Sequence, residues 1–279
     1  MDFNIIVFSK DRAMQLELFL RSFAIYVYNF HRYKINVLYT YSNKSFKEGY
    51  DKLIKEIGVN IPYFYQAAYC RTIKFILEND FRKNVIELIN PNNKYTVFFV
   101  DDDIFKNQVD FYDRQMDIFN NDPKILCRSL RLHPNLTYCY TQKTKMRKPE
   151  FLPDNVFYWK KTDIDFGYPM SVDGHIFRTK EILPLIKKID FINPNTFEGY
   201  MAINPLSFPK MICYDKSIIV NNPVNMVQTN NINYHGNISQ NYLNKMFLKG
   251  YKISLENIAG IENISCHQEI EFKLFNDEV

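Results

Sequence analysis

The chain has 279 residues, 46% of them hydrophobic, so it can bury a large core and is not a disordered chain. Its formal net charge of +4 is mild: it permits attraction to phosphates or an anionic membrane surface and calls for no nucleic-acid partner. Five scattered cysteines (Cys70, Cys127, Cys139, Cys213, Cys266) lack metal-ligand or redox spacing and suit reduced thiols in a cytosolic compartment, and no run of about 18 uncharged apolar residues spans a membrane.

Phe3 to Phe8 reads as a short apolar strand, followed at once by Ser9-Lys10-Asp11-Arg12. Leu16, Phe19, Leu20, Phe23 and Val27 then recur at helical spacing. Ser9 or Asp11 is available to cap that helix. A strand, polar turn and helix start favours anions, while the lack of a glycine-rich fingerprint removes the dinucleotide and P-loop readings. Asp11 and Arg12 either meet a base or ribose, or only cap and pair. Ile35 to Thr40 is a second strand, ending at Tyr41-Ser42-Asn43, and a helix bearing Phe46, Leu53, Ile54 and Ile57 returns from it. Ile61 to Tyr65 reads as a third strand. Tyr69, Ile73, Ile76 and Leu77, and later Val85 and Leu88, fall on a helical stripe stopped by Asn90-Pro91.

Tyr95-Thr96-Val97-Phe98-Phe99-Val100 has no polar alternation and reads as a strand buried on both faces, central in a parallel sheet. It ends in Asp101-Asp102-Asp103. In an extended chain Asp101 and Asp103 point to one side and Asp102 to the other. Like charges so close raise each other's pKa, a cost that a divalent cation removes, and hard oxygen ligands suit Mg²⁺ or Mn²⁺. The alternative is a solvated acidic turn capping the next helix. Asp103, at a strand end and not in the core, is expected to be removable with the fold intact. The order of strands and helices gives an α/β doubly wound domain, with ligands expected beyond the strands' carboxyl ends.

Residues 111–119 read as a helix and Ile125 to Leu132 as a strand. Asn135 to Trp159 reads as an irregular loop near the site. Lys143, Lys145, Arg147, Lys148, Lys160 and Lys161 form a basic run, read as a solvated loop or as attraction to an anionic surface. Ile192 to Gly199 opens a further helix, where Glu198 also suits the dipole of a first turn. Ile218 to Val220 is another strand, and Asn231 to Gly236 a loop carrying His235. Ser239 can cap a helix with Leu243, Met246 and Phe247, ended by Gly250. His31, His133 and His267 sit in less suggestive settings, and the tail beyond Ser254 has no assigned place.

A first strand ending in a polar turn, then a hydrophobic strand ending in Asp-x-Asp at Asp101-Asp102-Asp103, resembles the GT-A class of nucleotide-sugar glycosyltransferases. The resemblance implies a GT-A-like fold, a Rossmann-like mostly parallel sheet flanked by helices. It divides the chain into a nucleotide-sugar-binding half (1–105), an acceptor-binding half (106–250) and an extension (251–279). It implies Mn²⁺ or Mg²⁺ held by Asp101, Asp103 and His235, and a nucleoside diphosphate sugar, a UDP-sugar foremost, bordered by Ser9, Asp11, Arg12, Asp101 and Asp102. Gly174, Phe177 and Arg178 match an element that borders the acceptor pocket in that class; a strand-entry turn is the other reading. Inverting members carry a Glu-Asp pair at a helix start, where a carboxylate is the base. Here Gly199 replaces the second acid, which leaves the base between Glu198 and Asp173. The expected function is an inverting, metal-dependent transfer to a glycan or lipid-linked acceptor in surface polysaccharide synthesis. It is expected in the cytoplasm, with peripheral contact at the membrane's inner face. The rivals are a nucleotidyltransferase, whose usual glycine-rich first loop is missing here, and a silent carbohydrate-binding domain.

Overall fold

The computed structural model describes residues 2–59, 72–225 and 236–276. In chain order the elements begin β1 (Phe3–Lys10), α1 (Ala13–Tyr26), β2 (Ile35–Thr40), α2 (Lys44–Val59), β3 (Ile73–Leu77) and α3 (Phe81–Leu88). Then come β4 (Tyr95–Val100), β5 (Asp103–Phe105), α4 (Arg114–Asn121), β6 (Ile125–Ser129), β7 (Tyr138–Cys139), β8 (Thr144–Lys145) and β9 (Val156–Tyr158). The chain continues through β10 (His175–Arg178), α5 (Thr179–Lys188), α6 (Pro194–Ile203), β11 (Lys210–Cys213) and β12 (Ile219–Asn221). It closes with α7 (Gln240–Leu248), β13 (Tyr251–Ile253) and β14 (Leu274–Asn276).

Among the described residues the main sheet has the order β3-β2-β1-β4-β10-β6-β11-β9. The pairs β3–β2, β2–β1, β1–β4 and β6–β11 are parallel, while β10 is antiparallel to β4 and β6, and β9 to β11. This is the α/β, mostly parallel sheet flanked by helices that the sequence pattern implies. Its strands are apolar on both sides. Ile5, Val7, Val97 and Phe99 pack with α1, α2 and α7 on one face. Ile6, Phe8 and Phe98 pack with α3, α5 and α6 on the other. The chain leaves β1 toward β2 on one side and finds β4 on the other, so the strand order switches between β1 and β4. That is where an open α/β sheet leaves a crevice at its carboxyl edge.

Several expectations move. Ile73 to Leu77 is an edge strand in parallel register with β2 and not helical. Apolar residues at i, i+3 and i+4 fit a helix and a half-buried edge strand equally over so short a run. The free edge of β2 decides for the strand, and the helix that follows it begins at Phe81, where the Asp80 side chain accepts from Lys83 N. The expected strand at Ile61–Tyr65 lies outside the described residues. The helix expected from residue 111 starts at Arg114, capped by Asp113. The stretch 135–159 is more ordered than expected, with the β7–β8 hairpin and β9 on the edge of the main sheet. The tail finds a place too: β13 pairs with β14, and Ile253, Ile258 and Ile270 are buried in the same core as α1.

Candidate active site

The crevice between β1 and β4 is built first by a turn. Asp11 takes a left-handed conformation at φ 58°, tolerable for Asp, and this redirects the chain from β1 into α1. Neither expected cap is used: α1 has no side-chain cap bond at its start. Asp11 instead accepts from the Ser42 N–H at 2.7 Å, tying β1 to the end of β2. Ser9 donates to Asp101 Oδ2 at 2.8 Å and meets the Tyr50 hydroxyl at 2.7 Å. That hydroxyl also accepts from Arg12 N at 3.2 Å.

The acidic run turns at Asp101-Asp102, so the side alternation of an extended chain does not hold. Arg12 Nη1 lies 3.0 Å from Asp101 Oδ1 and 2.9 Å from Asp102 Oδ2, bridging both. Its other nitrogens donate to the Asn225 side chain at 2.8 Å and to the Asn225 carbonyl. Burial pushes the Asp101 carboxyl up to about 6 against the pull of Arg12. Asp103 turns the other way. Its Oδ2 accepts from Val100 N at 3.1 Å, and Asn221, its partner across β5–β12, donates to Oδ1 at 3.4 Å and to Asp102 Oδ1 at 3.0 Å. Asp103 is fully buried, which corrects its expected place outside the core. Burial, then Asp173 and Asp102, raise its pKa well above the carboxylate range.

Those observations bear on a divalent cation. Hard oxygens suit one, and Asp103 is a buried carboxylate with no cationic partner among the described residues, so the chemistry fits. Among the described residues no three His, Cys, Asp or Glu converge as a ligand set. His235 lies outside the described residues.

Across β10 a second group forms. Gly174, at φ 71°, donates to Phe98 O at 2.9 Å and accepts from Leu130 N at 3.0 Å, which stitches β4 to β6. A Cβ there would stand 2.4 Å from Ile219 Cδ1, so glycine is required both by conformation and by space. Beside it, Asp173 pairs with Arg131 at 3.0 Å and with His267 at 3.5 Å, and Arg131 also holds Asp165 at 3.2 Å. Burial opposes ionisation of Asp173, but His267 and Arg131 prevail and lower its pKa. Glu198 stands on α6, one residue after Phe197, whose ring packs on Phe191 at 4.5 Å and Phe98 at 5.2 Å. This aromatic anchor delivers Glu198 to the sheet's carboxyl edge, where its Oε1 accepts from Val172 N at 3.1 Å. Burial and then Asp173 push Glu198 up to about 7. The dipole reading does not apply, because α6 has no acid in its first turn; Asn193 and Thr196 form a capping box there.

Glu198, Asp173 and the acidic run therefore meet at one edge. Phe177 and Arg178 do not, which corrects their expected place beside the acceptor. Arg178 pairs in register with Tyr95, six residues before Asp101 and so about 20 Å away along β4. It donates to the carbonyls of Ile125, Phe119 and Asp122 as a clamp at the far end. The sequence reading missed Arg131, Asn221, Asn225 and His267. The first three have no signal beyond standing near strand ends. His267 arrives through a tail segment that bonds to both sides of Asn221.

No family model matches the chain. Over 223 residues, 70% of its length, it is 31% identical to the bifunctional glycosyltransferase pgtA of Dictyostelium discoideum. It spans about a quarter of that relative, 27% of its length. Among solved structures, S. aureus TarS in complex with UDP-GlcNAc is 13% identical with a TM-score of 0.46, over 78% of this chain and 58% of that one. A cytidylyltransferase from Leptospira borgpetersenii is 12% identical with a TM-score of 0.44, over 78% of this chain and 77% of that one.

Proposed function

We propose that this protein is a glycosyltransferase that moves a sugar from a nucleoside diphosphate donor, a UDP-sugar foremost, to an acceptor hydroxyl with inversion. The observation that carries this reading is the pairing, at one sheet edge, of a carboxylate run with a separate carboxylate raised to about 7. Transfer with inversion needs both: charge management at the leaving diphosphate, and a base on the opposite side. Identity with a glycosyltransferase supports it.

Ser9, Asp11, Arg12, Asp101 and Asp102 border the nucleotide in this proposal. Asp103 and Asp101, with His235, would hold Mn²⁺ or Mg²⁺, which when bound neutralises charge building on the leaving diphosphate. Glu198 accepts the acceptor's proton, since a pKa near 7 leaves a useful share ionised at neutral pH while keeping it basic. Asp173, fixed by Arg131 and His267, is the poorer base, because its pKa is lowered; its charge instead keeps Glu198 basic.

We place the reaction in the synthesis of a glycan or surface polysaccharide, on a glycan or lipid-linked acceptor, at the inner face of a membrane. The described cysteines are all free, which supports a reducing compartment. No helix among the described residues is long and apolar enough to cross a membrane.

Thermal-shift screening with nucleoside diphosphates and their sugars, with and without Mn²⁺, tests the reading. A ligand at a hundredfold excess over its dissociation constant stabilises by about 2.7 kcal/mol. If no nucleotide stabilises the protein and none is released from any sugar donor offered, the proposal fails.

A further inference from the structure

The basic run of the sequence does not stay one solvated loop. Four of its members, Arg147, Lys148, Lys160 and Lys161, line one cleft of about 660 Å³ at the β9 edge of the sheet. Among the described residues none of these four cations has an ion-pair partner, and all four are exposed. The two lysines are drawn onto aromatic rings: Lys160 Nζ lies 5.3 Å from the Trp159 ring centre and Lys161 Nζ 5.2 Å from that of Tyr158. Stacking restricts these long side chains and preorganises their charge. Glu150 and Asp163 also line the cleft, so a weak single charge gains little there, while a multiply charged group with several acceptor oxygens gains from all four cations.

We propose that this cleft is a binding site for a phosphate-bearing ligand. Arginine and clustered lysines match the phosphate oxygens, and the Tyr158 ring holds both Lys161 and Lys210 ammonium groups beside the cleft. The cleft also reaches the acceptor half of the active site through the chain. The Asp163 backbone carbonyl accepts from Gly167 N at 3.0 Å, and two residues on from Asp163 stands Asp165, the partner of Arg131. The proposal is independent of the transfer reaction and can stand or fall without it.

Trp159, the chain's single tryptophan, is buried between the cleft residues Tyr158 and Lys160 and lies under the Lys160 ammonium, so its fluorescence reports on that cation. Sodium tripolyphosphate and phosphatidylglycerol vesicles, with phosphatidylcholine vesicles as control, are titrated at low salt. The expected result is a saturable change in Trp159 emission with at least one of the two anionic probes. Its affinity should fall at least tenfold in Arg147→Gln/Lys148→Gln, which leaves the stacked lysines untouched, and further in the variant that also carries Lys160→Gln/Lys161→Gln. Asp103→Asn should titrate like the wild type, which separates this site from the donor site. A response to vesicles alone assigns the phosphate to a lipid headgroup; a response to tripolyphosphate assigns it to a soluble or glycan-borne group. No saturable change with either probe, or unchanged affinity in folded Arg147→Gln/Lys148→Gln, overturns the proposal.

Discussion

Glu198 and Asp173 show how neighbours drive two buried carboxylates in opposite directions. Glu198→Gln should lower turnover on the order of 10²–10⁴-fold, the usual worth of a general base, with nucleotide binding unchanged in calorimetry. Asp173→Asn removes a charge that raises Glu198 and frees Arg131, which lowers it, so both effects act in one direction. The acid limb of kcat/KM, expected near pH 7 in the wild type, should shift to lower pH in that variant. An unshifted limb would mean that Glu198 is not the titrating base. Asp103 differs because it is buried with its pKa raised. Its folded pKa lies above the unfolded one, so the wild type loses stability as pH rises from the carboxylate range through the folded pKa. Asp103→Asn lacks that loss and should be at least as stable as the wild type at neutral pH in urea denaturation. It should lose the Mn²⁺ dependence of UDP binding.

Among the elements, the short strand β10 is entered through one constrained residue, Gly174. Gly174→Ala places a methyl group against the fully buried Ile219 and forces a left-handed alanine. The conformation costs about 1–2 kcal/mol and the overpacking roughly 1–3 kcal/mol. Because Gly174 also bridges β4 to β6, denaturant midpoints should fall and activity should fall with them. A variant with wild-type stability would show that β10 moves freely. The periodicity of α1, α2 and α7 was legible from sequence because each has one face to bury. The edge strand β3 was not, since its five residues carry no period that separates strand from helix.

At the scale of the molecule the tail is part of the domain. Ile253, Ile258 and Ile270 lie in the core beside α1, and His267 reaches Asp173. Truncation of a buried isoleucine to alanine costs about 2–5 kcal/mol, a large share of a typical stability of roughly 5–15 kcal/mol. Ile258→Ala should therefore lower stability by that amount, and a chain ending at Gly250 should lack cooperative unfolding by circular dichroism.

The sequence by itself determined the fold class and the location of the crevice. An unbroken apolar strand such as Tyr95–Val100 must be covered on both faces, and its first polar residues must then emerge at the sheet's edge. It also brought Ser9, Arg12, Asp101 and Asp103 into view, because each follows a readable strand. Tertiary structure alone decided how they are paired. Arg12 finds Asp101 about ninety positions away, and Asp173 receives Arg131 and His267 from two further segments. Charge pairs of that kind depend on distance in space and on burial, and neither is written in the spacing of residues along the chain.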